Sequence, residues 1–141
     1  MVIPAVLVLA VAGLRFGLYV QQQDSDRNRR HALAAADASA RSYAAKLLPA
    51  FAAKPQTTAS LTQLESGTFV HYVAVGTEGT AVVVTLEASI VYPDGWVSSP
   101  ADSCFRDVIS RRNGSLADQL SGIPCTALLP PGDRDTPFEA A

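Results

Sequence analysis

Residues 2–20 read VIPAVLVLAVAGLRFGLYV, an apolar run in which Arg15 is the only charge. In a helix, at about 1.5 Å of rise per residue, the run covers about 28 Å, close to the hydrocarbon thickness of a bilayer. Arg15 lies towards the C-terminal end, where a long side chain can reach the headgroups, and Tyr19 closes the run as interfacial aromatics do. A single-pass membrane helix over 1–22 is the expected reading. Two alternatives stay open. Ala10-Val11-Ala12 has the small-x-small form of a signal-peptide cleavage site, though no basic stretch precedes it. The natural start could also lie upstream of Met1.

Two signals for topology oppose each other. Arg27, Arg29 and Arg30 follow the run and no Lys or Arg precedes it, which by the positive-inside rule places the remainder in the cytoplasm. Cys104 and Cys125, the chain's two cysteines, point the other way. Their spacing fits neither a CxxC redox motif nor a four-ligand zinc site. A pair closing a modest loop is what an oxidised extracytoplasmic domain uses. Two separate buried thiols are the alternative. The expectation is a disulfide and an extracytoplasmic body.

Beyond the run, Leu33, Ala36, Ala40, Tyr43, Leu47 and Phe51 recur at spacings of three and four and form one helical stripe. Asp26 with Arg30 and Asp37 with Arg41 are acid-to-base pairs four residues apart. Pro49 predicts an end or kink near Leu48. With no breaker between the stripe and the apolar run, an amphipathic helix over 23–53 should continue the anchor. Ser60-Leu-Thr-Gln63 suggests a capping box for one short helical turn.

The region 54–125 then reads as β-rich. Phe69–Val75 and Thr80–Tyr92 are rich in β-branched and aromatic residues, with Gly76-Thr-Glu-Gly79 between them as a hairpin loop. Val82, Val84, Leu86, Ala88, Ile90 and Tyr92 alternate with polar positions, as in a sheet with one covered face. Pro93-Asp-Gly95 predicts a turn with Trp96 packed beside it. Cys104–Ser110 predicts a third strand, and Leu116–Ile123 fits a strand or a short helix. Residues 126–141 carry two adjacent prolines and no periodicity, and read as a flexible tail. The fold class is therefore α+β: an N-terminal transmembrane helix continuous with an amphipathic helix, packed on an antiparallel sheet of three or four strands, with one disulfide.

Chemistry is sparse. His31 and His71 are the only histidines and show no metal-ligand spacing. There is no GxSxG elbow for a serine nucleophile. Asp94 and Asp102 sit in turn contexts, and Asp107 and Asp118 are the other aspartates of the 54–125 region. Asn113-Gly-Ser115 matches a glycosylation sequon, but Asn-Gly is also a hairpin turn. Eleven basic and thirteen acidic residues give a net charge of −2, and no basic stripe of the kind that grips nucleic acid is evident. Arg27, Arg29 and Arg30 are candidates for contact with anionic headgroups. No catalytic, cofactor or metal residues are assigned.

The run RNRRHALAAADASARSYAAKLL, followed by a hairpin and a cysteine-bracketed end beginning CFRDVI, resembles small single-pass membrane proteins of actinobacteria. The first 50 residues, with Pro4 in the apolar run and RFGLYVQQQ leading into AAADASARSYAA, also resemble the start of TadE-like minor pilin proteins. That resemblance implies a long helix under an antiparallel sheet, although the glutamate that typical type IV pilins carry early in the apolar run is missing. The expected function is a membrane-anchored, extracytoplasmic, non-catalytic module in envelope assembly or protein interaction. Its partners would be lipid and another envelope protein or a second copy. A pilin-like filament subunit is the alternative, with a hydrolase a more distant one. Labelling intact cells with a membrane-impermeant thiol reagent should modify Cys104 and Cys125 only after reduction. Labelling that requires permeabilisation and no reductant would place the body in the cytoplasm.

Overall fold

In a computed structural model of the chain, the described residues run from Ile3 to Ala141, with side chains described from Leu9 onward. Met1 and Val2, at the start of the expected anchor, lie outside them. Helix α1 (Ile3–Ala53) is one continuous element of 51 residues, about 77 Å long at the usual rise. A short helix α2 (Thr58–Gln63) and four strands follow: β1 (Val70–Glu78), β2 (Ala81–Asp94), β3 (Val97–Arg112) and β4 (Ser115–Ile123). The strands form an antiparallel meander in the order β1-β2-β3-β4.

The second half of α1 packs on one face of this sheet. Ala32, Ala36, Ala40, Tyr43, Ala44, Leu47 and Phe51 are buried, the stripe expected from the sequence with Ala32 and Ala44 added and Leu33 only partly covered. The alanines let the helix approach the strands closely, while Tyr43, Leu47 and Phe51 fill the space against Val82, Val84, Leu86, Phe105 and Ile109. Pro49 does not end the helix, which continues to Ala53. The proline removes the donor that would reach the Ala45 carbonyl, but both residues are exposed, so water can take that bond. Of the two expected surface pairs, Arg41–Asp37 closes at 2.9 Å; Asp26–Arg30 does not.

The first helix of the β-rich region is capped one turn earlier than its sequence suggested. Thr57 is the N-cap and Ser60 completes a reciprocal capping box, so Ser60 is the third helical residue instead of the cap. Leu61 of α2 is fully buried, and the Tyr43 hydroxyl donates to its carbonyl at 2.7 Å. Burial, with Glu65 nearby, holds that phenol protonated, which keeps it a donor.

All three hairpins have two-residue loops, as their closing pairs Glu78↔Ala81, Asp94↔Val97 and Arg112↔Ser115 show. At the last, Asn113 and Gly114 both have positive φ, 51° and 81°, the geometry that matches the twist of flanking strands. This turn settles Leu116–Ile123 as strand. The first two loops are shorter than the sequence suggested, because pairing runs on through Gly76–Glu78 and through Pro93-Asp94. The β2–β3 loop is therefore Gly95-Trp96, with Gly95 at φ 63°. Trp96, as the second loop residue, has no strand neighbour to pack on and is 97% exposed, contrary to the expected packing.

The second sheet face is covered in part, where the alternation had suggested a polar surface. Val83, Thr85, Ala74 and Cys104 are buried there. The cover is the segment after β4, which is a strap and not a flexible tail. Cys125 is bonded to Cys104, and a 3-10 turn Cys125–Ala127 redirects the chain across the face. The Leu129 amide donates to Thr85 Oγ1 at 3.0 Å, and the Tyr72 hydroxyl donates to the Leu129 carbonyl. Further on, Phe138 exchanges both backbone hydrogen bonds with Gln56 at 3.0 and 2.7 Å, and Ala140 is buried.

The disulfide closes a loop of sequence separation 21, for which restriction of the unfolded chain contributes about 3 kcal/mol. Replacing both cysteines by serine should lower stability by about that amount and speed exchange of the Leu129 amide before that of the β2 amides. Denaturant titration and hydrogen exchange check this; uniform acceleration would show that the bond does not hold the strap selectively.

Candidate functional site

The most unusual surface lies where α1 leaves the sheet. Leu9, Val11, Leu14, Phe16, Leu18, Tyr19 and Val20 are all substantially exposed, Leu9 at 73% and Phe16 at 69%. At about 100° per residue these side chains point to every side of the helix. A helix that is apolar all round is stable when something apolar surrounds it. Among the described residues Ala32 is the first of α1 to be buried, and ahead of it the hairpin tip touches the helix at Asn28 and Gln21.

That tip is the β2–β3 turn. Because the pairing of β2 with β3 extends to Asp94↔Val97, the hairpin runs alongside α1 well beyond the core. Tyr92 and Ala101 pack on Ala32, Asn28 Nδ2 donates to the Pro93 carbonyl at 3.4 Å, and Gly95 lies against Gln21. A Cβ at Gly95 would sit 3.0 Å from Gln21 Nε2. Gly17, Val20, Gln21, Pro93 and Gly95 line one shallow groove. Exposed Val91, Trp96 and Val97 crown the tip, level with the end of the apolar run.

Arg27, Arg29 and Arg30 are exposed on the two turns that follow, and Arg27 and Arg30 share a shallow depression with Gln23 and Asp26. They stand on the same end of the molecule as the apolar segment and the tip. The sequence located these arginines but placed Trp96 in packing contact, because the turn was set one residue too early.

A second site is internal. Asp107 pairs with Val84 across β2 and with Leu120 across β4, so its side chain enters the layer between sheet and α1. It is fully buried, and neither carboxylate oxygen has a hydrogen-bond partner. Burial pushes its pKa up to about 8, and the Asp118 carboxyl on β4 adds in the same direction. The acid is therefore protonated at neutral pH. A signal for it was present in the sequence: Phe105, Asp107 and Ile109 share one phase of β3, an acid at an apolar register position.

The remaining polar groups do not assemble into a reactive centre among the described residues. His71, 54% exposed on β1, lies 3.7 Å from Glu87; His31 is exposed on α1. Glu87 also lies near Cys104 and Cys125, but both sulfurs are spent in the disulfide, leaving one carboxylate and no ligand set. Arg111 and Arg112 are exposed at the β3–β4 turn, where Arg111 Nη1 donates to the Gly114 carbonyl at 3.2 Å. Among the described residues no helix is long and apolar enough to cross a membrane. The side chains of 1–8, which include Val2, Ile3, Val6, Leu7 and Val8 of the apolar run, lie outside that set. No known protein family, curated protein or solved structure matches the chain.

Folded Asp107 keeps its proton to about 8, whereas an unfolded aspartate releases it at about 3.9. Its contribution to stability is therefore complete below about 4 and is lost as pH rises towards about 8, by at most about 1.4 kcal/mol per pH unit. Asp107→Val should raise stability at about pH 8 by about 1–3 kcal/mol, by removing an unsatisfied buried group. It should also flatten the pH dependence. Urea titrations near pH 5 and pH 8 check both; a variant with the same slope as the parent would refute the assignment.

Proposed function

We propose that this chain is a membrane-anchored, extracytoplasmic, non-catalytic module that acts in envelope assembly or protein interaction. The observation that carries the reading is the N-terminal part of α1, whose side chains from Leu9 to Val20 present apolar surface on all sides while the same helix packs on the sheet from Ala32. Lipid satisfies such a segment, since the helix already satisfies its own backbone. The run begins at Val2, so the apolar length available to a bilayer exceeds the part with described side chains.

Three further features support the same reading. The Cys104–Cys125 bond suits an oxidising compartment. Arg27, Arg29 and Arg30 follow the run by two to three turns, within reach of anionic headgroups, where each contributes on the order of 1 kcal/mol. The histidines lie far apart, His31 on the exposed face of α1 and His71 on an exposed part of β1, which favours a binding role over catalysis. Lipid and a second envelope protein or another copy are the proposed partners; nucleic acid is not.

A second reading, a pilin-like subunit, is favoured by one specific arrangement: a long helix, half free and half seated under an antiparallel sheet whose C-terminal region is closed by a disulfide. It differs in predicting regular self-association through the free half of α1, which cross-linking of intact cells would capture as a ladder.

Deleting Val2–Val20 should move the protein from the membrane pellet to the supernatant while leaving the disulfide formed. Fractionation with an alkaline wash, followed by non-reducing electrophoresis, reads both. Unchanged pelleting of the deletion variant would overturn the anchor.

A further inference from the structure

We propose that the β2–β3 hairpin tip, centred on Trp96, is a second membrane contact, seated in the headgroup region of the same bilayer that receives the N-terminal helix. The proposal rests on the anchoring reading above and adds to it a fixed orientation of the sheet.

The placement is geometric. β2 runs antiparallel to α1, so that the tip meets the helix at Gln21, against Gly95, and at Asn28, against Pro93, just past the point where the apolar run gives way to Gln21-Gln22-Gln23-Asp24. If the run lies in hydrocarbon, Tyr19 marks the interface and the tip arrives at the same depth. The side chains at the tip suit that depth. Trp96 is 97% exposed, and its ring joins a large apolar body to one N–H donor, the combination that favours the boundary between hydrocarbon and water. Val91 and Val97, both about two-thirds exposed, and the exposed Pro93 surround it. From Ser89 to Asp102 the hairpin carries no Lys, Arg or Glu, and its two acids are Asp94, which accepts from the Ser99 hydroxyl at 3.0 Å, and Asp102 at the far end of the stretch.

The tip is also held firmly enough to transmit position. Its two strands pair without interruption from Val82↔Ile109 to Asp94↔Val97, and Asn28 and Gln21 contact it from the helix. Two points of attachment at one level, helix and tip, set the tilt of the sheet on the membrane. A single helix would leave the sheet free to rotate about the helix axis.

Trp96 is the only tryptophan in the chain, so its fluorescence reports this contact alone. The full chain would be reconstituted into vesicles of three parts phosphatidylcholine to one part phosphatidylglycerol, and its flotation measured with the vesicles. Trp96 emission would then be followed with acrylamide and with lipids brominated either near the top of the acyl chain or near its end. The expected result is flotation, a blue-shifted emission relative to the chain in urea, weak acrylamide quenching, and several-fold stronger quenching by the shallow bromines than by the deep ones. Flotation with Trp96 fully open to acrylamide and insensitive to bromine would overturn the tip contact and leave the anchor standing. Flotation with Trp96 shielded from both quenchers would overturn it in favour of a protein cover. Failure to float would overturn the anchoring reading, and this inference with it.

Discussion

The contact on which the rest of the structure depends is the seating of the alanine stripe of α1 on β2 and β3. Ala36 and Ala40 are fully buried and bring the helix close to the strands, so that Tyr43, Leu47 and Phe51 reach the inner valines and Phe105. A four-stranded meander on its own leaves both faces open, and this helix covers one of them. Tyr43 then reaches past the sheet edge to hold α2 through the Leu61 carbonyl. The second layer, the strap after β4, is of another kind. It is held by a covalent bond and backbone hydrogen bonds more than by a patterned apolar surface.

The same helix serves two environments along its length. From Ala32 to Phe51 its apolar residues are confined to one side, while from Leu9 to Val20 they point everywhere. The change falls at Gln21–Arg30, where the sequence becomes polar and the hairpin tip makes its last contacts. Asp107 runs against the economy of the core, because an acid opposite Val84 gains no partner and must stay neutral to stay buried.

Much of the fold was legible because two periodicities are strong. The alternation from Val82 to Tyr92 and the stripe from Ala36 to Phe51 each name a face, and two faces that need covering predict each other. Asn113-Gly114 signalled a turn, while Leu116–Ile123 stayed open between strand and short helix until its pairing with β3 was seen. What escaped the sequence depended on neighbours. Pro49 normally interrupts a helix, and its tolerance here comes from exposure of the carbonyl it deprives. The β2–β3 turn was displaced by one residue because Pro93 and Asp94 are turn formers that in this protein lie in paired strand ends; that slip concealed the exposure of Trp96. The strap has no period to read, since its backbone bonds to Gln56 and Thr85 leave no trace in residue type. Asp107 stood in an apolar phase, but only the seating of α1 reveals that no partner meets it.

The meander has a consequence for how the molecule is assembled. Each strand pairs with its immediate successor through a two-residue loop, so the sheet is built from short-range closures that form quickly. The long-range closures are left to the helix and to the strap, which follows all four strands in the sequence. Cys104 lies within β3 and Cys125 just after β4, so the bond joins the sheet to the start of the strap. The bond thus fastens the strap to strands whose register is set by their own two-residue turns.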